Sequence, residues 1–180
     1  MLSPREVFTK LLDGIGAGRF AELADLYAED AVVEIVFAPV GPRRFEGRSV
    51  IRERFMELAT SVPVELTPAN VVIRETDDPE VIVSEWDYRG RHLATGRTFS
   101  SPNIQVLRVR DGLIVSSRDF HDHLALVLAG GNLPHLVEAL EGSSRGSSAP
   151  APALAPAPVH GRRRPALDRG QGSAGPLRQA

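Results

Sequence analysis

The titratable side chains that could carry chemistry gather at residues 119–123, where the sequence reads Asp-Phe-His-Asp-His. Carboxylates and imidazoles are the groups that accept and donate protons near neutral pH. This group therefore favours acid–base catalysis, with Asp119 as the candidate general base. His121, Asp122 and His123 also have residue types that bind metal ions, but this spacing is a weak indication and we predict no metal site. Asp122 fits better as the cap of a helix over residues 124–128.

A β-hairpin is predicted to present these groups. Residues 103–109 and 113–121 alternate between polar and apolar side chains, with an Asp-Gly dipeptide at 111–112 between them. Glycine accepts the positive φ that a tight hairpin turn requires, so this pattern is a strong hairpin signal. Alternation along the strands places the following candidates on the inner face of the hairpin: Asn103, Gln105, Leu107, Asp119 and His121.

Two further predicted strands, at residues 31–37 and 81–89, extend an apolar surface. Each has one mainly apolar face that can turn toward the same side as the inner face of the hairpin. A carboxylate on such a concave surface is desolvated, and desolvation strengthens a carboxylate as a proton acceptor. We expect this surface to bind a small hydrophobic molecule through Val33, Ile35, Phe37, Trp86, Tyr88, Leu107 and His121.

Each candidate also has a purely structural interpretation. Asp119 is either a general base in a pocket or part of a polar strand end. Asn103 and Gln105 either orient a substrate carbonyl or satisfy each other. The aromatic pair on the strand at 81–89 either stacks on a flat ligand or belongs to the core. His121 either lines the mouth of the pocket or is exposed at the strand end.

Helical segments precede most of these strands. Ser3, Pro4 and Glu6 form a capping-box pattern, and apolar residues then recur at helical spacing. The chain reads as three helices with one early strand, followed by about four antiparallel strands. One of these strands is predicted at 91–99, after a bend at Gly90. This order predicts an α+β fold with helices on one face of a curved sheet.

The composition changes sharply after residue 142. Residues 1–142 hold 15 Lys and Arg against 22 Asp and Glu, whereas residues 143–180 hold six Arg and one Asp. We predict a folded domain at 1–142 and a disordered tail at 143–180, because the tail is rich in Pro, Ala, Gly, Ser and Arg and poor in large apolar residues. The arginines at 162–164 either contact an acidic partner or remain solvated.

Composition also excludes several classes of function. The chain has no cysteine, which excludes disulfides, thiolate metal ligands and thiol nucleophiles. The acidic domain argues against nucleic acid as a partner, because phosphate binding needs a basic face. No apolar run approaches the ~20 residues of a membrane-spanning helix, and the first residues lack a signal-peptide pattern. We therefore expect a cytoplasmic protein with no membrane partner.

Four motifs in the hairpin region resemble the SnoaL-like polyketide cyclases. They are Thr-Gly-Arg-x-Phe-Ser at 95–100, Asn-Ile-Gln-Val-Leu at 103–107, Val-Arg-Asp-Gly-Leu-Ile at 109–114 and Arg-Asp-Phe-His-Asp at 118–122. The resemblance covers residues 3–130 and places the chain in the nuclear transport factor 2-like group, with the ketosteroid isomerases. It implies a cone-shaped α+β barrel, in which a strongly curved antiparallel or mixed sheet wraps around N-terminal helices and an apolar pocket.

The resemblance implies an acid–base role for Asp119, which matches the catalytic Asp of an Arg-Asp-aromatic motif in these cyclases. Asn103 and Gln105 match a Gln and a His of the cyclases, so a donor amide remains where the His is lost. The ketosteroid isomerase base falls at Ile35 and its oxyanion tyrosine near Leu11. Steroid isomerisation by that mechanism is therefore not expected. Of the catalytic residues of the epoxide hydrolases, the resemblance retains one carboxylate at Asp119 and the others are replaced, so epoxide hydrolysis is not expected either.

Two functions follow from these observations. The first is a cofactor-independent isomerase or aldol-type cyclase acting on a small hydrophobic, cyclic carbonyl compound. In it Asp119 is the base, and Gln105 or Asn103 stabilises the enolate oxygen. The alternative is a non-catalytic small-molecule-binding or scaffold protein of the same fold. Family members commonly pair, and a homodimer is predicted through the apolar side chains of the outer sheet face, Val32, Val36, Val83, Ile104 and Val106.

Overall fold

A computed structural model of the protein describes residues 1–41, 43–61 and 63–146. These residues form five α-helices, a 3₁₀ turn at Ala24–Leu26 and six β-strands in one sheet. The helices are α1 (Pro4–Gly16), α2 (Phe20–Leu23), α3 (Arg48–Ser61), α4 (His123–Gly130) and α5 (Leu133–Gly146). The strands are β1 (Tyr27–Ile35), β2 (Arg43–Glu46), β3 (Val64–Glu75), β4 (Val81–His92), β5 (Thr98–Arg110) and β6 (Leu113–His121).

The strands form one open, curved sheet in the order β2-β1-β6-β5-β4-β3. Neighbouring strands are antiparallel except β1 and β6, which run parallel. The predicted α+β class and curved mixed sheet are therefore confirmed, although the sheet stays open between its edge strands β2 and β3. Helix α1 supplies one stripe of the core, formed by Val7, Phe8, Leu11 and Leu12.

The two strongest local patterns of the sequence are confirmed. Ser3 N donates to Glu6 Oε2 at 2.7 Å, and Glu6 N donates to Ser3 Oγ at 3.3 Å, which completes the capping box of α1. The β5–β6 hairpin turns at Asp111 and Gly112, whose φ angles are 53° and 79°. Two successive positive φ angles are those of a type I′ turn, the geometry that matches the twist of a hairpin.

The predicted bend at Gly90 is wrong, because β4 continues through it to His92. Gly90 pairs with Phe99 of β5, and a Cβ at Gly90 would lie 2.2 Å from Phe99 Cζ. The glycine therefore permits the close approach of an aromatic ring and does not make a turn. The strand predicted at 91–99 is divided between β4, a loop and β5.

An irregularity in the β5–β6 register also shifts one predicted face. Alternation predicts that Val115 shares the buried face of Ser117, yet Ile114 is the buried residue there and is fully shielded from solvent. Two residues instead of one therefore lie between these buried side chains. Beyond the irregularity the predicted alternation holds, and Ser117 and Asp119 are both buried. The catalytic candidate thus lies in the regular part of β6.

The end of the described chain lies close to the predicted domain boundary. Helix α5 runs to Gly146, past residue 142, and residues 147–180, which make up most of the predicted tail, lie outside the described residues. In the part of the chain that the structure describes, no helix is both long and apolar enough to cross a membrane.

Candidate functional site

A cavity of about 270 Å³ lies against the inner face of the sheet. Small-molecule sites usually start at about 300 Å³ and have mainly apolar walls with a few polar groups, so this cavity suits a small ligand. Its walls come from every helix and strand between α1 and α4. The apolar part of its lining includes Phe8, Leu11, Leu12, Phe20, Val33, Ile35, Phe45, Ile51, Phe55, Leu66 and Phe99.

Asp119 lies on the wall of this cavity and is only 8% exposed. Its Oδ1 accepts a hydrogen bond from Gln105 Nε2 at 2.8 Å and a second one from the Ser117 hydroxyl. Gln105 Nε2 also donates to Ser117 Oγ at 2.9 Å. No Lys or Arg forms an ion pair with Asp119 among the described residues. Neutral donors therefore hold the carboxylate in place.

The register of the β5–β6 hairpin brings the predicted polar residues together. Gln105 pairs directly with Asp119, and Asn103 pairs directly with His121. Asn103 is buried, and its Nδ2 donates to the Ser101 carbonyl at 2.6 Å. Both N–H groups of Gln105 are engaged by the serine and the carboxylate, whereas Asn103 retains one N–H. The two amides thus differ in what they can offer a ligand.

Two tyrosines add hydroxyl groups to the same cavity. Tyr27 and Tyr88 both line it and are both buried. Burial raises the pKa of each phenol well above its ordinary value, and the negative charge of Asp119 raises the pKa of both further. Both phenols therefore remain protonated at neutral pH and serve as hydrogen-bond donors. Sequence reasoning missed Tyr27, because apolar helical spacing assigned it to the end of a helix instead of the start of β1.

Two histidines stand beside each other at one end of the cavity. The centroid of the His121 ring lies 5.8 Å from that of Trp86 and 5.8 Å from that of His123. Burial is the main cause of a lowered pKa for His123, the neighbouring His121 and the Arg54 guanidinium act in the same direction, and the resulting pKa is about 4. His123 is therefore neutral at pH 7. Its position follows from the chain turning into α4 at Asp122.

Asp122 caps that helix, as predicted. Its Oδ1 accepts a hydrogen bond from Ala125 N at 3.1 Å. Among the residues that the structure describes, no three carboxylate or imidazole side chains are placed to hold a metal ion together. The titratable residues at 119–123 therefore divide into a cavity carboxylate, a helix cap and two imidazoles.

Most of the predicted binding residues line the cavity, but two do not. The lining includes Val33, Ile35, Trp86, Tyr88 and His121.

Leu107 is fully buried in the core and is not part of the cavity wall. Phe37 is 66% exposed, because β1 ends at Ile35 and the alternation of faces ends with it. Its ring packs against Phe120 with the centroids 5.4 Å apart. The predicted placement of Phe37 on the inner face is therefore wrong.

The sequence pattern of the SnoaL-like domain family matches residues 8–117, which is more than half of the chain. The protein belongs to this family. The matched residues contain α1 from Phe8 onward, the sheet as far as Ser117, and the Gln105 side of the cavity, whereas Asp119 lies two residues past their end.

Individual relatives agree with this assignment. The SnoaL-like chain is 29% identical over 143 residues to the uncharacterised PhzA/B-like protein PA3332 of Pseudomonas aeruginosa, and the match covers 79% of this chain and 100% of the relative. A candidate polyketide cyclase from Pseudomonas putida has a similar structure, with a TM-score of 0.60 and 18% identity over 72% of this chain and 98% of that one.

A protein from Catenulispora acidiphila with a ketosteroid isomerase-like fold, solved in complex with trimethylamine, gives a TM-score of 0.59 at 18% identity. That match covers 72% of this chain and 95% of the other. At these identities the structural similarities establish the cone-like α+β fold of the nuclear transport factor 2-like group. They do not carry a reaction from those proteins to this one.

Proposed function

We propose that the cavity binds a small hydrophobic, cyclic carbonyl compound and that Asp119 catalyses its isomerisation or aldol-type ring closure without a cofactor. The observation that carries this proposal is the carboxylate itself. It is 8% exposed on a mainly apolar wall, and its Oδ1 is held by two neutral donors. A carboxylate in such a setting is fixed in orientation and remains free to accept a proton. The polyketide cyclase and PhzA/B-like relatives support this choice of substrate class.

The reaction begins when Asp119 accepts a proton from a carbon next to the substrate carbonyl. The electron pair of that C–H bond moves onto the carbonyl oxygen and forms an enolate. In an isomerisation, the proton returns from Asp119 to a different carbon. In a ring closure, the enolate carbon attacks a second carbonyl, a C–C bond forms, and the new alkoxide takes the proton back. Both reactions balance without a co-reactant.

The enolate oxygen needs hydrogen-bond donors. Three groups on the cavity wall can donate to it: the protonated hydroxyls of Tyr27 and Tyr88 and the remaining N–H of Asn103. One such donor contributes about 3–4 kcal/mol in comparable sites. We assign Gln105 a positioning role instead, because its two N–H groups already hold Ser117 and Asp119.

The test is the variant Asp119→Asn, assayed by chromatography and mass spectrometry on a panel of cyclic and polyketide-like ketones. We expect turnover to fall by about 100-fold or more, the usual contribution of a general base. Binding should survive, measured by the fluorescence of Trp86, which lines the cavity and is the single tryptophan of the chain. Asp122→Asn is the matched control, because asparagine also caps helices well. Full turnover by Asp119→Asn would rule out this base.

A second candidate function is ligand binding without catalysis. It is favoured by the apolar Val33 and Ile35, which line the cavity where other proteins of this fold carry polar catalytic residues. It predicts saturable binding of apolar compounds and no chemical conversion of any of them. The same panel therefore separates the two functions, because a single converted compound that requires Asp119 decides in favour of the enzyme.

We also propose that the protein forms a homodimer through the outer face of the sheet. The apolar side chains there are half-buried or exposed, and Ile104 is 45% exposed. The ion pairs Arg118–Glu34 at 3.2 Å and Arg44–Glu34 at 2.6 Å lie beside them. Light scattering should give twice the chain mass of 19.5 kDa, and Ile104→Glu should halve it. A mass near 19.5 kDa for the unaltered protein would contradict the proposal.

A further inference from the structure

Three basic side chains converge at one end of the cavity from three different elements. Arg54 comes from α3, His121 from the end of β6 and His123 from the start of α4. In each, one side-chain nitrogen is buried and has no hydrogen-bond partner among the described residues: Arg54 Nε, His121 Nε2 and His123 Nε2. Buried polar atoms are rarely left unpaired in a folded protein, so this end of the cavity is suited to receive a polar group.

Charged groups of both signs surround His123 at this end of the cavity. Arg54 and His121 both lower the pKa of His123, which means that the three groups repel one another when charged. Two carboxylates act in the opposite direction on His123, namely Asp119 and Asp122. Each is already engaged, the first by Gln105 and Ser117 and the second by the amide of Ala125. The permanent positive charge among the three basic groups is therefore that of Arg54, whose Nε–H is buried and unpaired among the described residues.

We propose that Arg54, His121 and His123 form a carboxylate subsite, so that the substrate is an organic acid whose ring lies on the apolar wall of the cavity. This inference rests on the proposed function, because it names the substrate class of the same site. The guanidinium Nε–H and the imidazoles bind the carboxylate, while the ring packs on the apolar wall, which includes the contacting rings of Phe8 and Trp86. The bound acid thereby holds its carbonyl in a fixed position relative to Asp119.

Other anions fit this end less well. Arg54 supplies one permanent positive charge, and its Nη1 is also paired with Glu57 Oε2 at 2.7 Å. The guanidinium lies 5.9 Å from the Phe45 ring, which limits its movement. One fixed and partly shared cation matches a monoanion, whereas a phosphate dianion needs more donors than these three nitrogens supply. The small volume of about 270 Å³ points to a compact acid of one or two rings.

The experiment compares a hydrophobic acid with its neutral amide. Isothermal titration calorimetry with 2-naphthoate and 2-naphthamide measures both affinities on the full chain. We expect the acid to bind about tenfold more tightly, which is the usual scale of a charge-assisted hydrogen bond. Arg54→Gln should remove this preference and leave amide binding unchanged, and Arg54→Lys should keep part of it. Arg52→Gln is the matched control, because Arg52 lies on the same helix but pairs with Asp25 at 2.7 Å outside the cavity lining.

Several outcomes would overturn the carboxylate subsite. The first is equal affinity for the acid and the amide, and the second is no binding of either probe. The third is that Arg54→Gln lowers the affinity for both probes equally and that Arg54→Lys lowers both affinities by the same amount as Arg54→Gln. The proposed reaction fails separately. Asp119→Asn should keep or strengthen the acid preference, because it removes a negative charge that acts on His123. If the protein prefers the acid but converts no ketone, the carboxylate subsite is supported and only the proposed catalysis is disproved.

Discussion

The contact between Gly90 and Phe99 predicts that Gly90→Ala destabilises the protein when the Phe99 ring is present and stabilises it when that ring is removed. The two residues face each other across β4 and β5. A Cβ added at Gly90 would lie 2.2 Å from Phe99 Cζ, 2.5 Å from Cε1 and 2.8 Å from Cε2. Each distance is far inside van der Waals contact, so the ring must move. Gly90 does not have a positive φ, so its backbone accepts alanine and the ring is the main obstacle.

The magnitude follows from two opposing effects. Overpacking of this kind costs about 1–3 kcal/mol. Replacing glycine by alanine in a compatible backbone contributes about 0.4–1 kcal/mol, because it restricts the unfolded chain. Gly90→Ala should therefore lower the free energy of unfolding by about 1–2 kcal/mol. In a Phe99→Ala background the obstacle is gone, so the same substitution should raise the free energy of unfolding by about 0.4–1 kcal/mol.

The assay is urea unfolding of four proteins: the unaltered chain, the two single variants and the double variant. The fluorescence of Trp86, the single tryptophan, reports the transition. Because Phe99 lines the cavity, Gly90→Ala should also alter the affinity for ligand. The reasoning is refuted if Gly90→Ala changes stability with the same sign in both backgrounds, since the clash would then not be its cause.

Two further predictions concern the core and the buried imidazole. Phe8 is 1% exposed and packs edge-to-face on Trp86, so Phe8→Ala should lower the free energy of unfolding by about 3–5 kcal/mol in urea denaturation; a loss below about 1 kcal/mol would contradict its place in the core. The folded pKa of His123 is about 4 against an ordinary 6.5, so only the unfolded chain takes up this proton as the pH falls below 6.5. Stability should thus be unaffected above that pH and fall by about 1–2 kcal/mol toward pH 4, after allowance for partial exposure. His123→Gln should remove this loss, and an unchanged pH dependence would argue against the depressed pKa.

Much of the fold could be predicted because its signals are local. The capping box of Ser3 and Glu6 and the Asp-Gly turn each involve a few neighbouring residues, and the structure contains both. The turn sets the register only as far as the pair of Val109 with Ile114, and the irregularity beyond it is what places Gln105 opposite Asp119. Short strand β2 was missed because Arg43 and Arg44 look like solvated loop residues, whereas Arg44 bonds to Glu34 across the strand pair.

The candidate site could be predicted only where strands remain regular. Alternation placed Trp86 and Tyr88 correctly on the inner face, because β4 alternates without interruption from Val81 to His92. It placed Phe37 wrongly, since periodicity carries no information past the last residue of a strand. The shift to Ile114 near the start of β6 has the same origin, because an irregular register inserts a residue that the pattern does not reveal.

The sequence by itself determined the α+β class, the hairpin and the place of Asp119 and Gln105 on the same inner face. These depend on interactions between residues that are close along the chain or joined by one tight turn. Only the tertiary structure decided that Tyr27 faces the same cavity as Asp119, and that Arg54 reaches the two histidines. Such groups lie on elements far apart in sequence, so their meeting depends on how the whole chain packs, and no local spacing records it.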